Sequence, residues 1–173
     1  MELMSPAGNL NSFISAIDSG SDSVYLGLKK YNARNPAQTF ESYKLKKAVE
    51  YAHQIGKRVY LTLNIDLKSH EIAEVVKIIS FCARINIDAI IVKDTSVIFL
   101  AKKFFKDKFE IHLSTQNAIC SSLGVLFAKI LNVKRVVLAR ELTINEIKKC
   151  CSIDGVDIEI FVEGSMCFSI SGR

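Results

Sequence analysis

Arg58-Val-Tyr-Leu-Thr-Leu63, the stretch Ser69 to Ile85, and Asp88-Ala-Ile-Ile-Val92 together decide the fold. The first and third are short runs of aliphatic, β-branched and aromatic residues, the texture of strands. The middle stretch reads as a helix, with Ser69 as its start signal. Ala89 to Val92 has no polar alternation, which fits a strand buried on both faces of a parallel sheet. Strand, helix, strand at this spacing is a βα repeat.

The same alternation extends in both directions. Upstream, Glu2-Leu3-Met4 is a strand, followed by the turn Ser5-Pro6-Ala7-Gly8-Asn9. Leu10, Phe13, Ile14 and Ile17 then share one helical face, and Gly20 stops that helix. Ser23 to Leu26 is a strand closed by Gly27, and after a longer loop Phe40 to Ile55 is a helix. Downstream, Thr95 to Phe105 is a helix, Phe109 to Leu113 a strand and Asn117 to Leu131 a helix. Lys134 to Leu138 is a strand, Thr143 to Cys151 a helix with Thr143 and Glu146 in capping-box spacing, and Asp157 to Val162 a strand. Seven strands and six intervening helices leave two architectures, an open doubly wound sheet or an eight-stranded barrel. The turn after the first strand is not G-x-G-x-x-G, so the expectation is α/β: a TIM-type (βα)-repeat barrel of about seven strands. One such domain, residues 1–173, is expected, with its last unit missing.

Bulk properties narrow the class. Hydrophobic residues make up 49% and charged residues 24%, a globular balance. No apolar run approaches a membrane span, so no membrane partner is expected. Met1-Glu2-Leu3-Met4 runs straight into the Pro6 turn, so the expectation is no signal peptide and a cytoplasmic location. The net charge of +5 suits an RNA or other polyanion, and codon bias toward Lys produces the same excess. Five cysteines, an odd count without a C-x-x-C pair, argue against a disulfide framework or a structural zinc site. Cys82 and Cys120 are expected in helices as small buried thiols, and Cys150 and Cys151 close a helix. Cys167 differs, because it follows a strand end and a glycine.

Residues just after each parallel strand ring one rim of a barrel, and ligand chemistry gathers there. That rim includes Asn9, Gly27, Arg34, Asn64, Lys93, Asp94, Ser114, Thr115, Gln116, Arg140, Glu141, Glu163 and Cys167. Arg140 either pairs with Glu141 or binds a carboxylate through its planar fork. Ser114 or Thr115 caps the following helix. His112 lies within a strand, where a structural histidine is expected, and His53 and His70 lie on or near exposed helix surfaces. No H-E-x-x-H is present.

Glu159-Ile-Phe-Val-Glu-Gly-Ser-Met-Cys167 adds a specific pattern. It resembles the signature of the collagenase-like peptidase family U32: Glu, any residue, Phe, two residues, Gly, a small residue, an aliphatic residue, Cys, four residues, Gly, any residue, Cys. Glu159, Phe161, Gly164, Ser165, Met166, Cys167 and Gly172 fall in place, and the chain stops at Arg173, one position before the second Cys. Glu2 to Asn9, Asp22 to Gly27, His112 to Gln116 and Val137 to Leu142 are also similar to family segments. The family usually has His where this chain has Glu163, and a carboxylate does not replace an imidazole as donor.

The resemblance implies a barrel and a longer protein with further cysteines. It also implies that Cys167 is one ligand of a four-iron four-sulfur cluster in members that hydroxylate tRNA or rRNA bases, or a quinone precursor, without oxygen. Other members are called peptidases. The expected catalytic residues are Arg34, Arg140 and Glu141, orienting a small anionic co-substrate or the target base. Asn64, Asp94, Ser114, Gln116 and Glu163 are expected to bind substrate, and Cys167 a metal. The alternatives are a collagenase-like protease acting on peptide and an inactive truncated fragment that lacks a C-terminal part or partner subunit. With no eighth strand the first and seventh would have open edges, an aggregation hazard for the piece alone.

Overall fold

The computed structural model describes residues 1–33, 40–164 and 170–172. They form two compact units, Met1–Phe109 and Glu110–Arg173. The first unit runs β1 (Met4–Ala7), α1 (Leu10–Asp18), β2 (Ser23–Gly27), α2 (Ser42–Gln54), β3 (Arg58–Leu63), α3 (Ile72–Arg84), β4 (Ala89–Val92) and α4 (Thr95–Phe105). The second runs β5 (Glu110–Leu113), α5 (Ser122–Ile130), β6 (Arg135–Val137), α6 (Ile144–Cys151) and β7 (Asp157–Glu159). Within each unit neighbouring strands pair in parallel and in chain order, so each βα repeat adds one strand beside the last.

Register explains the core of the first unit. Pro6 aligns with Tyr25, Tyr25 with Tyr60, and Tyr60 with Ala89. Tyr60, Ala89 and Ile91 form a buried cluster on which Met4 and Tyr25 pack. The alternate residues Val59, Leu61 and Leu63 are also buried, as a strand covered on both faces requires. The helices lay their apolar stripes on the sheet: Phe13 and Ile17 from α1, Leu45, Ala48, Val49 and Ala52 from α2, Val75, Ile79 and Cys82 from α3. Phe13 meets Phe40 edge to face at 6.3 Å, a geometry that adds to the area buried. Gly27 ends β2 because a Cβ there would lie 2.7 Å from the Asn32 side chain and 3.0 Å from Thr62 Oγ1.

Four sequence expectations move. The first strand is Met4–Ala7, so Ser5, Pro6 and Ala7 belong to it rather than to the turn. Pro6 is tolerated because β1 pairs only with β2 among the described residues, leaving an edge that needs no donor. Phe40 is not helical; its amide donates to Gly27 O and it bridges Leu28, and α2 starts at Ser42. Ser69 opens a short 3₁₀ turn, Ser69–Glu71, whose Glu71 carboxylate accepts from Lys68 N, and α3 proper begins at Ile72.

The fourth change lies in the second unit. Asn117 does not start a helix. Thr115–Asn117 is a 3₁₀ turn, Ala118 is left-handed at φ 51°, and α5 begins at Ser122 after the Ser121 cap. Cys120 is therefore in an exposed loop, not a buried helical position. Its thiol donates to Ala118 O at 3.2 Å. The Thr143 and Glu146 capping box is present as the spacing predicts.

Candidate active site

The rim of the first unit is built from side chains that hold backbone. Asn64 Oδ1 accepts from Ala33 N at 3.0 Å, pinning the loop after β2. Asp94 caps α4 by accepting from Ser96 N at 2.8 Å, and its other oxygen accepts from Leu67 N at 2.9 Å. Burial pushes the Asp94 carboxyl up, but the hydrogen bonds from Ser96 and Leu67 and the charge of Lys93 outweigh it, leaving its pKa lowered. Lys93 reaches Asp66 at 2.7 Å. Tyr31, at φ 64°, donates its hydroxyl to Glu74 at 2.6 Å, and Lys30 joins the same carboxylate at 2.9 Å. The hydrogen bond to Glu74, with burial behind it, pushes the Tyr31 phenol up to about 12.

The rim of the second unit is organised around a residue that sequence reasoning missed, Ser171. It is 5% exposed. Its amide donates to Glu141 Oε1 at 2.7 Å. Its hydroxyl oxygen accepts from Arg140 N at 3.3 Å and from Arg140 Nε at 3.4 Å, and lies 3.5 Å from Thr115 Oγ1, whose own proton is directed to Leu138 O at 3.3 Å. The Ser171 amide is the leading cause that holds the Glu141 carboxyl below its ordinary range, with the Arg140 charge also contributing. Gly172 completes the docking. At φ 87°, its missing Cβ would lie 2.9 Å from Ala118 Cβ and 3.2 Å from Gln116 O. The only sequence signal for this clasp is that Ser171 and Gly172 lie within the signature that contains Cys167.

The other candidates fall in different places. Ser114 is buried and its hydroxyl caps the Thr115–Asn117 turn, accepting from Gln116 N at 3.2 Å. Gln116 lies in that turn, beneath Gly172. Glu163 is exposed, next to Gly164 at φ 128°. Arg34 and Cys167 lie outside the described residues. The structure thus brings together Arg140, Glu141, Thr115 and Gln116, all around residues 171 and 172. Below them, His112 is fully buried and meets Glu110 at 2.9 Å. Glu159, the first signature residue, pairs with Arg135 at 3.5 Å across β6 and β7.

The described thiols do not form a metal centre. Among the described residues no group of three or more His, Cys, Asp or Glu side chains gathers as ligands. Burial pushes the Cys82 thiol up to about 12. Cys120 and Cys150 are also raised, by burial first and then by neighbouring acidic groups. Nor, among the described residues, is any helix long and apolar enough to cross a membrane.

Comparison with known proteins defines the class. The structure superposes on that of a U32 peptidase with a TM-score of 0.73, covering 92% of this chain and 67% of that one at 13% identity. This likeness gives the fold, a TIM-type (βα)-repeat barrel of which seven strands lie among the described residues.

The profile of peptidase family U32 matches residues 8–173, and the chain belongs to that family. It is 38% identical to an uncharacterized protease of Methanocaldococcus jannaschii, across 100% of this chain and 43% of the relative. It is 39% identical to tRNA hydroxylation protein P of Helicobacter pylori, across 100% of this chain and 41% of the relative. It is 31% identical to the 23S rRNA 5-hydroxycytidine C2501 synthase of Escherichia coli, across 100% of this chain and 26% of the relative. The chain therefore spans about two-fifths of the length of the first two relatives.

Proposed function

We propose that this chain is the barrel part of an enzyme for oxygen-independent hydroxylation of tRNA or rRNA bases. The observation that carries the reading is the 39% identity to a tRNA hydroxylation protein over the whole of this chain. In this reading Arg140 is the anion-binding residue. Its Nε is engaged by Ser171, which fixes the guanidinium plane. A fixed planar fork suits a small carboxylate co-substrate or a base carbonyl better than a mobile lysine would. Glu141, kept ionised by the Ser171 amide, holds the segment that follows Cys167 against the rim. Gln116 and Glu163 are the side chains that read the substrate, and Arg34 is a second anion contact. Asn64, Asp94 and Ser114 shape the rim by holding backbone.

The finer part of the proposal concerns Cys167. It supplies one thiolate to a four-iron four-sulfur cluster whose remaining ligands come from outside these 173 residues. Among the described residues no group of three or more His, Cys, Asp or Glu side chains supplies them.

The test is nucleoside mass spectrometry of tRNA and rRNA from a strain that lacks the gene, with and without complementation by its complete native reading frame. A nucleoside bearing one added oxygen, present only on complementation, supports the reading; unchanged RNA overturns it. Peptide hydrolysis is the second reading, favoured by the relative named a protease. It needs an activated nucleophile, and the raised Cys82, Cys120 and Cys150 thiols are shifted in the opposite direction.

A further inference from the structure

The outer surface of α4 carries a feature that neither the sheet nor the rim uses. Val97, Ile98 and Ala101 bury one side of the helix. On the other side Phe99 is 60% exposed and Phe104 is 59% exposed. Lys103 sits between them, its Nζ 5.3 Å from the centre of one ring and 5.4 Å from the other. Lys102, Lys106 and Lys108 lie nearby in the sequence, with Asp107 the one acid between residues 102 and 108. Four lysines against one aspartate place a net +3 in seven residues of a chain whose total is +5.

Two bland explanations account for part of this. Lysines near a helix C-terminus offset the helix dipole, which explains Lys102 and Lys103. Isolated exposed apolar residues are ordinary. Neither explains two large exposed aromatic rings that share one cation within a lysine-rich run. Aromatic faces interleaved with cations match the chemistry of unpaired nucleotides, which stack their bases and present phosphates alongside.

We propose that the Phe99, Lys103 and Phe104 face of α4, with Lys102, Lys106 and Lys108, docks a single-stranded or loop segment of the RNA. The bases stack on the two phenylalanines, and the phosphates meet the lysines. The face is separate from the rim. α4 begins at the Asp94 cap and, at 11 residues, is on the order of 16 Å long. An RNA lying along it would reach from this patch to the strand ends of the same unit. The inference rests on the RNA reading above and deepens it by naming the surface.

The experiment measures binding of a fluorescein-labelled, unmodified tRNA transcript to the protein expressed from its complete native reading frame, by anisotropy at several salt concentrations. Double-stranded DNA of equal length is the control. Phe99→Ser with Phe104→Ser should weaken tRNA binding about 10-fold or more, leave the salt slope unchanged and leave DNA binding unaltered. Lys106→Gln with Lys108→Gln alters only exposed side chains, so it tests the patch even if the phenylalanine variant misfolds. It should flatten the logarithmic salt slope by roughly 0.7 per lysine. Wild-type affinity and slope in the lysine variant would overturn the inference. So would a phenylalanine variant that is folded and binds tRNA normally, or one whose only change is loss of a dimer in sedimentation. If the wild-type chain binds no tRNA at all, this inference is overturned together with the RNA reading. If it binds tRNA but the α4 variants are silent, only this inference fails.

Discussion

In Met1–Phe109 the side chains that follow the strands bind backbone amides: Asn64 holds Ala33, in the loop after the preceding strand, and Asp94 holds Leu67 as well as Ser96 in the first turn of its own helix. In Glu110–Arg173 they reach forward instead, to the segment after the following strand, with Glu141 and Arg140 closing on both the amide and the hydroxyl of Ser171. Both rims are polar and both come from the same repeat. The difference shows that rim position alone does not mark a functional residue. A carboxylate or amide committed to backbone amides of the preceding loop builds the scaffold. In the proposed reading, the guanidinium whose Nε is engaged by Ser171 is the group that meets the substrate.

The largest effect should come from the arginine. Arg140→Lys keeps the charge but loses the planar fork, so hydroxylation by the complete protein should fall roughly 100-fold or more. Asn64→Ala, which removes a hydrogen bond to the Ala33 backbone, should change the same rate by less than about tenfold once matched for folded protein. Equal losses in both variants would break the comparison.

Next in size is Gly172→Ala. Positive φ and a Cβ 2.9 Å from Ala118 oppose the substitution, at a local cost of about 1–3 kcal/mol. Amide exchange at Ser171 should accelerate roughly 5- to 100-fold while the exchange of β3 is unaltered. Asp94→Ala should cost about 1 kcal/mol through loss of the α4 cap, lowering Tm by roughly 2–4 °C. The rate per folded molecule should stay the same.

The smallest effect is the acid response. Asp94 and Glu141 both have lowered pKa values. Their contributions are complete above the ordinary carboxylate range and fade as pH falls through the lowered folded values. Asp94→Asn should flatten the acid limb of the Tm profile. Glu141→Gln should flatten only the acid limb of Ser171 amide protection. Interchanged responses would contradict the assignment of Asp94 to scaffold and Glu141 to clasp.

Much of the scaffold could be read from periodicity and caps, because those signals are local. Arg58–Leu63 and Thr95–Phe105 have the bounds that the residue pattern predicts. Thr143 and Glu146 form the expected capping box. The misses have physical causes. Pro6 reads as a turn residue, yet an edge strand tolerates it. Ala118 carries no sequence mark of a left-handed residue, so the break that exposes Cys120 was hidden, although Ser121 before an apolar run is the cap signal for the true start of α5. Ser171 was invisible for another reason: its partners lie 30 and 31 residues away, and no local rule links them. Arg140 and Glu141 could be named from their strand end, but the serine that joins them could not.

The account turns on Arg140 being the working residue of this rim. The most direct measurement is nucleoside mass spectrometry of RNA from the deletion strain complemented with wild type, Arg140→Lys or Asn64→Ala, each at matched protein levels. The account predicts hydroxylated nucleoside with wild type and Asn64→Ala, and its loss with Arg140→Lys. Full hydroxylation by Arg140→Lys, or none by wild type, would contradict it.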